Sequence, residues 1–130
     1  MFKKTSKIGD SNPIKSKIGF GCWGLGGGSI VSPSYGKISE DEAIKCVDLA
    51  LKNKVNFFDT SPAYGSSEII LGKFLKKKKR KEIFLASKCG ISDFSLSQNF
   101  SSNFLRKQLS KSLKNLGTDY LDLLQLHNPT

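Results

Sequence analysis

From Ile18 onward, four short apolar runs alternate with longer segments whose apolar residues recur at helical spacing. That alternation is the pattern of β/α units, and it constrains the chain to a parallel sheet whose crossovers are helices. The runs cover residues 18–22, 55–58, 83–86 and 121–126, each of strand length. Between the first two, Ser39 and Glu42 have capping-box spacing ahead of Ile44, Val47 and Leu51 on one face, so a helix is predicted from about Ser39. A second helix is predicted from Ser67 and Glu68, carrying Ile70, Leu71, Phe74 and Leu75 and ending in cations that suit a helix C-terminus. The third starts at about Ser102, with Leu105, Leu109, Leu113 and Leu116 as its apolar face and Gly117 as its stop. Residues 1–17 hold a turn cluster, Gly9 to Pro13, between two stretches able to pair as a hairpin over one end of the sheet. Residues 92–103, rich in Ser and Asn, read as a loop after the third strand.

At 130 residues the chain has room for one domain, residues 1–130, and none for two. The longest apolar stretch near its end is broken by Asp122 and Gln125, far below the ~18 residues of a membrane span, so no membrane partner is expected. Met1 and Phe2 run directly into Lys3 and Lys4 without the apolar core of a secretory signal, which points to the cytoplasm. Cys22, Cys46 and Cys89 are odd in number and far apart, and are expected as reduced, buried thiols. No metal is expected, because Cys22, Cys89 and His127 lack the local spacing of zinc ligands.

In parallel β/α architectures the functional groups collect just past the C-terminal ends of the strands. The second run ends in Asp59, the third in Ser87 and Lys88, and the fourth in His127, the only histidine; Tyr64 lies in a turn-rich loop five residues after Asp59. Each has a plain alternative: Asp59 and Lys88 as a structural ion pair, Tyr64 as a packed aromatic, His127 as a hydrogen-bonded strand end. Together they compose an acid. A phenol ordinarily titrates near pKa ~10, but a lysine cation beside it favours the phenolate and turns it into a proton donor nearer neutrality. An aspartate can hold that lysine, and an imidazole can donate to an oxygen gaining negative charge. Such a set suits protonation of a carbonyl oxygen as hydride reaches its carbon.

The segment Asp59-Thr60-Ser61-Pro62-Ala63-Tyr64-Gly65-Ser66-Ser67-Glu68, with Leu71-Gly72, resembles the signature of the aldo-keto reductases. Phe84-Leu85-Ala86-Ser87-Lys88 and residues 120–129 around His127 resemble that family's next two motifs, and residues 19–27 are similar to its first strand and loop. The resemblance runs in order over about residues 3–130. It implies the eight-stranded β/α (TIM) barrel, of which this α/β chain holds the first four strands, preceded by the hairpin. It implies Tyr64 as general acid, Lys88 and Asp59 as the groups that tune it, and His127 as the group that orients the carbonyl. It further implies NADPH as cofactor, with Gly21, Trp23 and Asp59 on the cofactor side and Trp23, Tyr64 and His127 on the substrate side. The implied reaction reduces an aldehyde or ketone, a small carbonyl substrate, to an alcohol.

Gly19-x-Gly21-x-x-Gly24 also fits a Rossmann fingerprint, yet that motif needs a helix at once on the pyrophosphate and an acid about 20 residues on. Gly26-Gly27-Gly28 and Pro33 delay a helix to about Ser39, and Asp59 lies too far along. The run Lys76 to Lys81 and the net charge of +10 invite a nucleic-acid partner, but no aromatic residue interleaves with the run, which reads as a solvated loop opposite the site. A whole barrel takes about 250 residues, and its phosphate sites tend to follow strands seven and eight. The chain therefore reads as an N-terminal half, with three alternatives open: an inactive fragment, a reductase completed by self-association or a separate C-terminal half, and a non-catalytic binding or regulatory relic. An apolar inner sheet face is expected to lie uncovered.

Overall fold

The structure is a computed structural model that describes residues 14, 16–28, 34–76, 80–94 and 97–129. All of the expected hairpin except residues 14, 16 and 17, and the middle of the basic run, Lys77 to Lys79, lie outside the described residues. Strand β1 (Phe20–Gly21) passes into a 3-10 helix (Cys22–Gly26); then follow α1 (Glu40–Lys52), β2 (Phe57–Asp59), α2 (Ser67–Leu75), a second 3-10 turn (Arg80–Glu82), β3 (Phe84–Cys89), α3 (Ser102–Leu116) and β4 (Leu123–Leu126). The strands form one sheet in the order β1-β2-β3-β4, parallel throughout. This is a partial (β/α) barrel. The first strand is shorter than expected because the chain turns at Cys22, so a 3-10 helix already opens within the glycine pattern, while the first α-helix waits until Ser39 caps it. No helix among the described residues is long and apolar enough to cross a membrane.

The local rules place the helix ends. The Ser39 hydroxyl accepts from the Glu42 amide at 3.3 Å while the Glu42 carboxylate accepts from the Ser39 amide at 3.0 Å, which satisfies two donors otherwise orphaned at the start of α1. At the other end of the chain, α3 stops where Gly117 turns left-handed at φ 62°. The core lies between sheet and helices: Phe58, Leu71, Ile83 and Leu85 are completely or almost completely buried with Val47 and Leu116 against them. At about 1.5–3 kcal/mol for each large side chain removed from water, these residues outweigh any single polar contact in the fold.

Two expected faces are corrected. In α3 the buried residues are Gln108, Ser112 and Leu116, whereas Leu105, Leu109 and Leu113 are half-buried. The reason is polar: Gln108 accepts from the Gly90 amide at 2.7 Å and donates to the Ile91 carbonyl at 2.8 Å, turning its own side of the helix onto the end of β3. Gly72 lets α3 come close as well, since a Cβ there would overlap the backbone at Asn115 and Leu116. On the sheet, Phe84 of the inner face is fully buried, and the bare apolar groups lie on the helix side of β4, where Leu124 and Leu126 are 40% and 51% exposed. The register pairs these two with Ser87 and Cys89, of which Ser87 reaches back to α2, so they mark a position that no described helix covers.

Cys46 is exposed rather than buried, because it sits about 100° around α1 from the buried Val47. Arg80, expected in a solvated run, is instead 16% exposed and clamped: it donates to the Ile83 and Tyr120 carbonyls, Thr118 and Asp122, and its guanidinium lies 3.9 Å over the Tyr120 ring.

Candidate active site

Strand β2 delivers Asp59 to the C-terminal end of the sheet, β3 delivers Lys88 beside it, and the residue after β4 is His127. Side-chain alternation decides which groups meet. Ser87 points to α2, where it donates to the buried Glu68 at 2.9 Å, so Lys88 must point to the opposite, inner face. There its ammonium pairs with the Asp59 carboxylate and donates to the Thr60 carbonyl at 3.1 Å. Gln125 of β4, level with Lys88 in register, donates to the second Asp59 oxygen at 2.8 Å. Both carboxylate oxygens are thus occupied, and the ammonium is held in one place.

The Lys88 ammonium lies 4.8 Å from the centre of the Tyr64 ring, and Tyr64 meets His127 edge to face with centroids 5.7 Å apart. The structure therefore brings Asp59, Tyr64, Lys88 and His127 into one cluster. Tyr64 is fixed from behind by the 3-10 helix: a Cβ at Gly26 would overlap the Tyr64 carbonyl, so only glycine allows that approach. Ser67, at the start of α2, donates to the Cys22 carbonyl at 2.8 Å and bonds Thr60 at 2.9 Å, tying both loops to the mouth.

His127 is 6% exposed; burial lowers its pKa below the usual histidine value, the Lys88 cation adds to that, and Asp59 opposes it. The imidazole is neutral near pH 7. Phe94 also meets the imidazole edge to face, with centroids 5.7 Å apart. Cys22, fully buried, has its thiol pushed far above the usual range, chiefly by burial and secondly by Asp59, so it is no nucleophile.

Of the remaining predicted residues, Gly21 pairs in register with Asp59 at the end of β1, and Trp23 follows it by two residues in the 3-10 helix. Trp23 meets Tyr35 edge to face at 5.0 Å, and its buried Nε1 has no hydrogen-bond partner among the described residues. Gly21 lines a cavity of about 660 Å³ with Phe20, Leu25, Tyr35, Ile38 and Cys46, beside β1. Among the described residues no group of three His, Cys, Asp or Glu side chains is arranged to hold a metal ion. Gln125, Thr60 and Ser61 escaped the sequence reading. Gln125 had one signal, a polar residue interrupting an apolar strand; the bonds that bring Thr60 to Lys88 and Ser61 to His127 join residues remote in sequence.

The sequence profile described as the Aldo/keto reductase family matches residues 17–130. The chain belongs to this family. It is 32% identical over 139 residues to the NADH-specific methylglyoxal reductase of Escherichia coli (strain K12), covering 95% of this chain and 41% of that protein. It is 37% identical over 125 residues to L-galactose dehydrogenase of Arabidopsis thaliana, covering 93% and 37% respectively. Among solved structures, the aldo-keto reductase AKR11C1 from Bacillus halodurans in its holo form superposes with a TM-score of 0.75 at 31% identity, over 98% of this chain and 41% of that one. The chain thus spans about two fifths of the length of these relatives.

Proposed function

We propose that residues 1–130 supply the catalytic half of a carbonyl-reducing aldo-keto reductase. The observation that carries this reading is the placement of Lys88 against both Asp59 and the Tyr64 ring, with His127 edge to face with that same ring. A reduced nicotinamide, when bound, supplies a hydride to the carbonyl carbon. Tyr64 gives its phenolic proton to the carbonyl oxygen, Lys88 stabilises the phenolate left behind, and His127 donates a hydrogen bond to the oxygen as its charge grows. Asp59 and Gln125 keep Lys88 at its post. The substrate leaves as an alcohol and the phenolate is reprotonated from water.

The residues present fit the nicotinamide end of a dinucleotide. Trp23 Nε1, buried and without a hydrogen-bond partner among the described residues, is a donor of the kind a carboxamide accepts, and it lies two residues after Gly21, the register partner of Asp59. NADPH is the proposed donor. The names of two relatives, one NADH-specific and one marked NADP(+), keep NADH as the competitor to be tested. The rest of the barrel, needed to cover Leu124 and Leu126, comes from further chain, a second copy or a separate polypeptide.

The test is NADPH oxidation with a panel of aldehydes and ketones, by the chain alone and by the chain joined to the remaining length of its relatives, with native mass recorded for each. Turnover that falls about 10²–10⁴-fold in Tyr64→Phe, with folding intact, is the expected result. Turnover retained by Tyr64→Phe, or none in either form while Trp23 fluorescence reports saturable NADPH binding, overturns catalysis in favour of a binding relic.

A further inference from the structure

The geometry points to Ser61 as the positioning residue that sets which nitrogen of His127 carries the proton, making Nε2–H the group that faces the site. Ser61 follows β2 by two residues and is completely buried. Its Oγ accepts from the Ala63 amide at 3.1 Å and lies 3.1 Å from His127 Nδ1. Among the described residues Oγ meets no other hydrogen-bonding group. Its own hydrogen therefore has one acceptor within reach, the Nδ1 lone pair. If Nδ1 carried the proton instead, the serine hydrogen would be buried with nothing to accept it, a state that proteins avoid.

The rest of the imidazole's surroundings agree. Lys88 and Asp59 are the charged groups that act on it, and burial with Lys88 outweighs Asp59 in keeping it neutral, so the choice is between two neutral tautomers. The ring makes edge-to-face contacts with both Tyr64 and Phe94, and its backbone amide donates to the Cys89 carbonyl at 2.8 Å, which fixes where β4 ends. Nε2 has no hydrogen-bond partner among the described residues. With Nδ1 as acceptor, Nε2–H is a free donor; with the opposite tautomer, Nε2 would present a lone pair and repel a carbonyl oxygen. The consequence for catalysis rests on the carbonyl-reducing reading above, while the tautomer itself does not.

His127 is the only histidine, so the chain labelled with ¹⁵N-histidine gives one pair of ring-nitrogen resonances. Long-range ¹H–¹⁵N correlation near neutral pH is expected to show a pyridine-like Nδ1 and a pyrrole-like Nε2, the Nε2–H form exceeding the other about tenfold or more. In Ser61→Ala, whose fold is checked by its backbone amide spectrum, the two shifts move toward each other as the preference collapses. A pyrrole-like Nδ1 in the parent chain overturns the inference even if the variant fails to fold, and so does an unchanged pair of shifts in a folded Ser61→Ala. Both readouts are taken on the resting imidazole, so a failed reductase assay and a failed tautomer assignment are told apart.

Discussion

The sheet carries an ion pair at each end, and the two are built differently. At the N-terminal end of β3 and β4, Arg80 and Asp122 have side chains 16% and 1% exposed, and one Asp122 oxygen also accepts from the Leu85 amide at 2.9 Å. The guanidinium fork spreads over two carbonyls, a hydroxyl and a carboxylate while its face rests on Tyr120. At the C-terminal end, Lys88 and Asp59 are 14% and 30% exposed, and the ammonium faces the aromatic ring of Tyr64. A planar, always-charged group with all three of its nitrogens engaged locks loops together; a compact ammonium beside a mouth leaves its field available to a ligand. The difference separates a clamp from a site more clearly than burial alone, since the two cations are about equally buried.

The largest effect is expected from breaking the clamp. Arg80→Ala removes the cation from beside the buried Asp122 carboxylate and should cost about 3–5 kcal/mol by urea unfolding of the purified chain. A loss below about 1 kcal/mol would make the two pairs equivalent. Arg80→Lys keeps the charge but not the fork, and its unfolding midpoint should lie nearer Arg80→Ala than the parent. Lys88→Met should cost only about 1–2 kcal/mol, because Asp59 keeps Gln125 and some water, yet it should abolish NADPH-dependent turnover in the completed barrel. Equal destabilisation at the two ends would show that Lys88 is a strut. Tyr120→Leu removes the stacked face and should cost about 0.5–1 kcal/mol in the same assay.

The smallest effect is a pH dependence at His127. Its folded-state pKa lies below the unfolded value of about 6.5, so within that window the unfolded chain binds more protons and stability rises with pH. Acidification from neutrality should therefore narrow the difference in urea midpoint between the parent and His127→Gln, whereas above about pH 7.5 that difference should be flat. A difference that grows on acidification would mean that Asp59 governs the imidazole instead of burial and Lys88.

How much of this was legible in the sequence depended on the range of the forces involved. The helix starts at Ser39 and Ser67 and the stop at Gly117 follow from groups within four residues of one another, and all three stand where the spacing put them. Asp59, Lys88 and His127 were legible because a strand end is itself a local feature and parallel topology sends all such ends to one side. The buried face of α3 was misjudged because a leucine period describes a helix alone, whereas Gln108 shows which side meets β3 only when the loop at Gly90 is in place. Arg80 read as one cation in a solvated run because Thr118, Tyr120 and Asp122 are about forty residues away in the chain.

By itself the sequence determined the β/α order, the helix caps and the identity of the four groups at the mouth, since period, capping and strand ends are short-range consequences of covalent order. Only the tertiary structure decided their partners: Gln125 on Asp59, Ser61 on His127 and Asp122 on Arg80. A hydrogen bond acts over about 3 Å, and no periodicity along the chain records which remote donor will arrive within that distance.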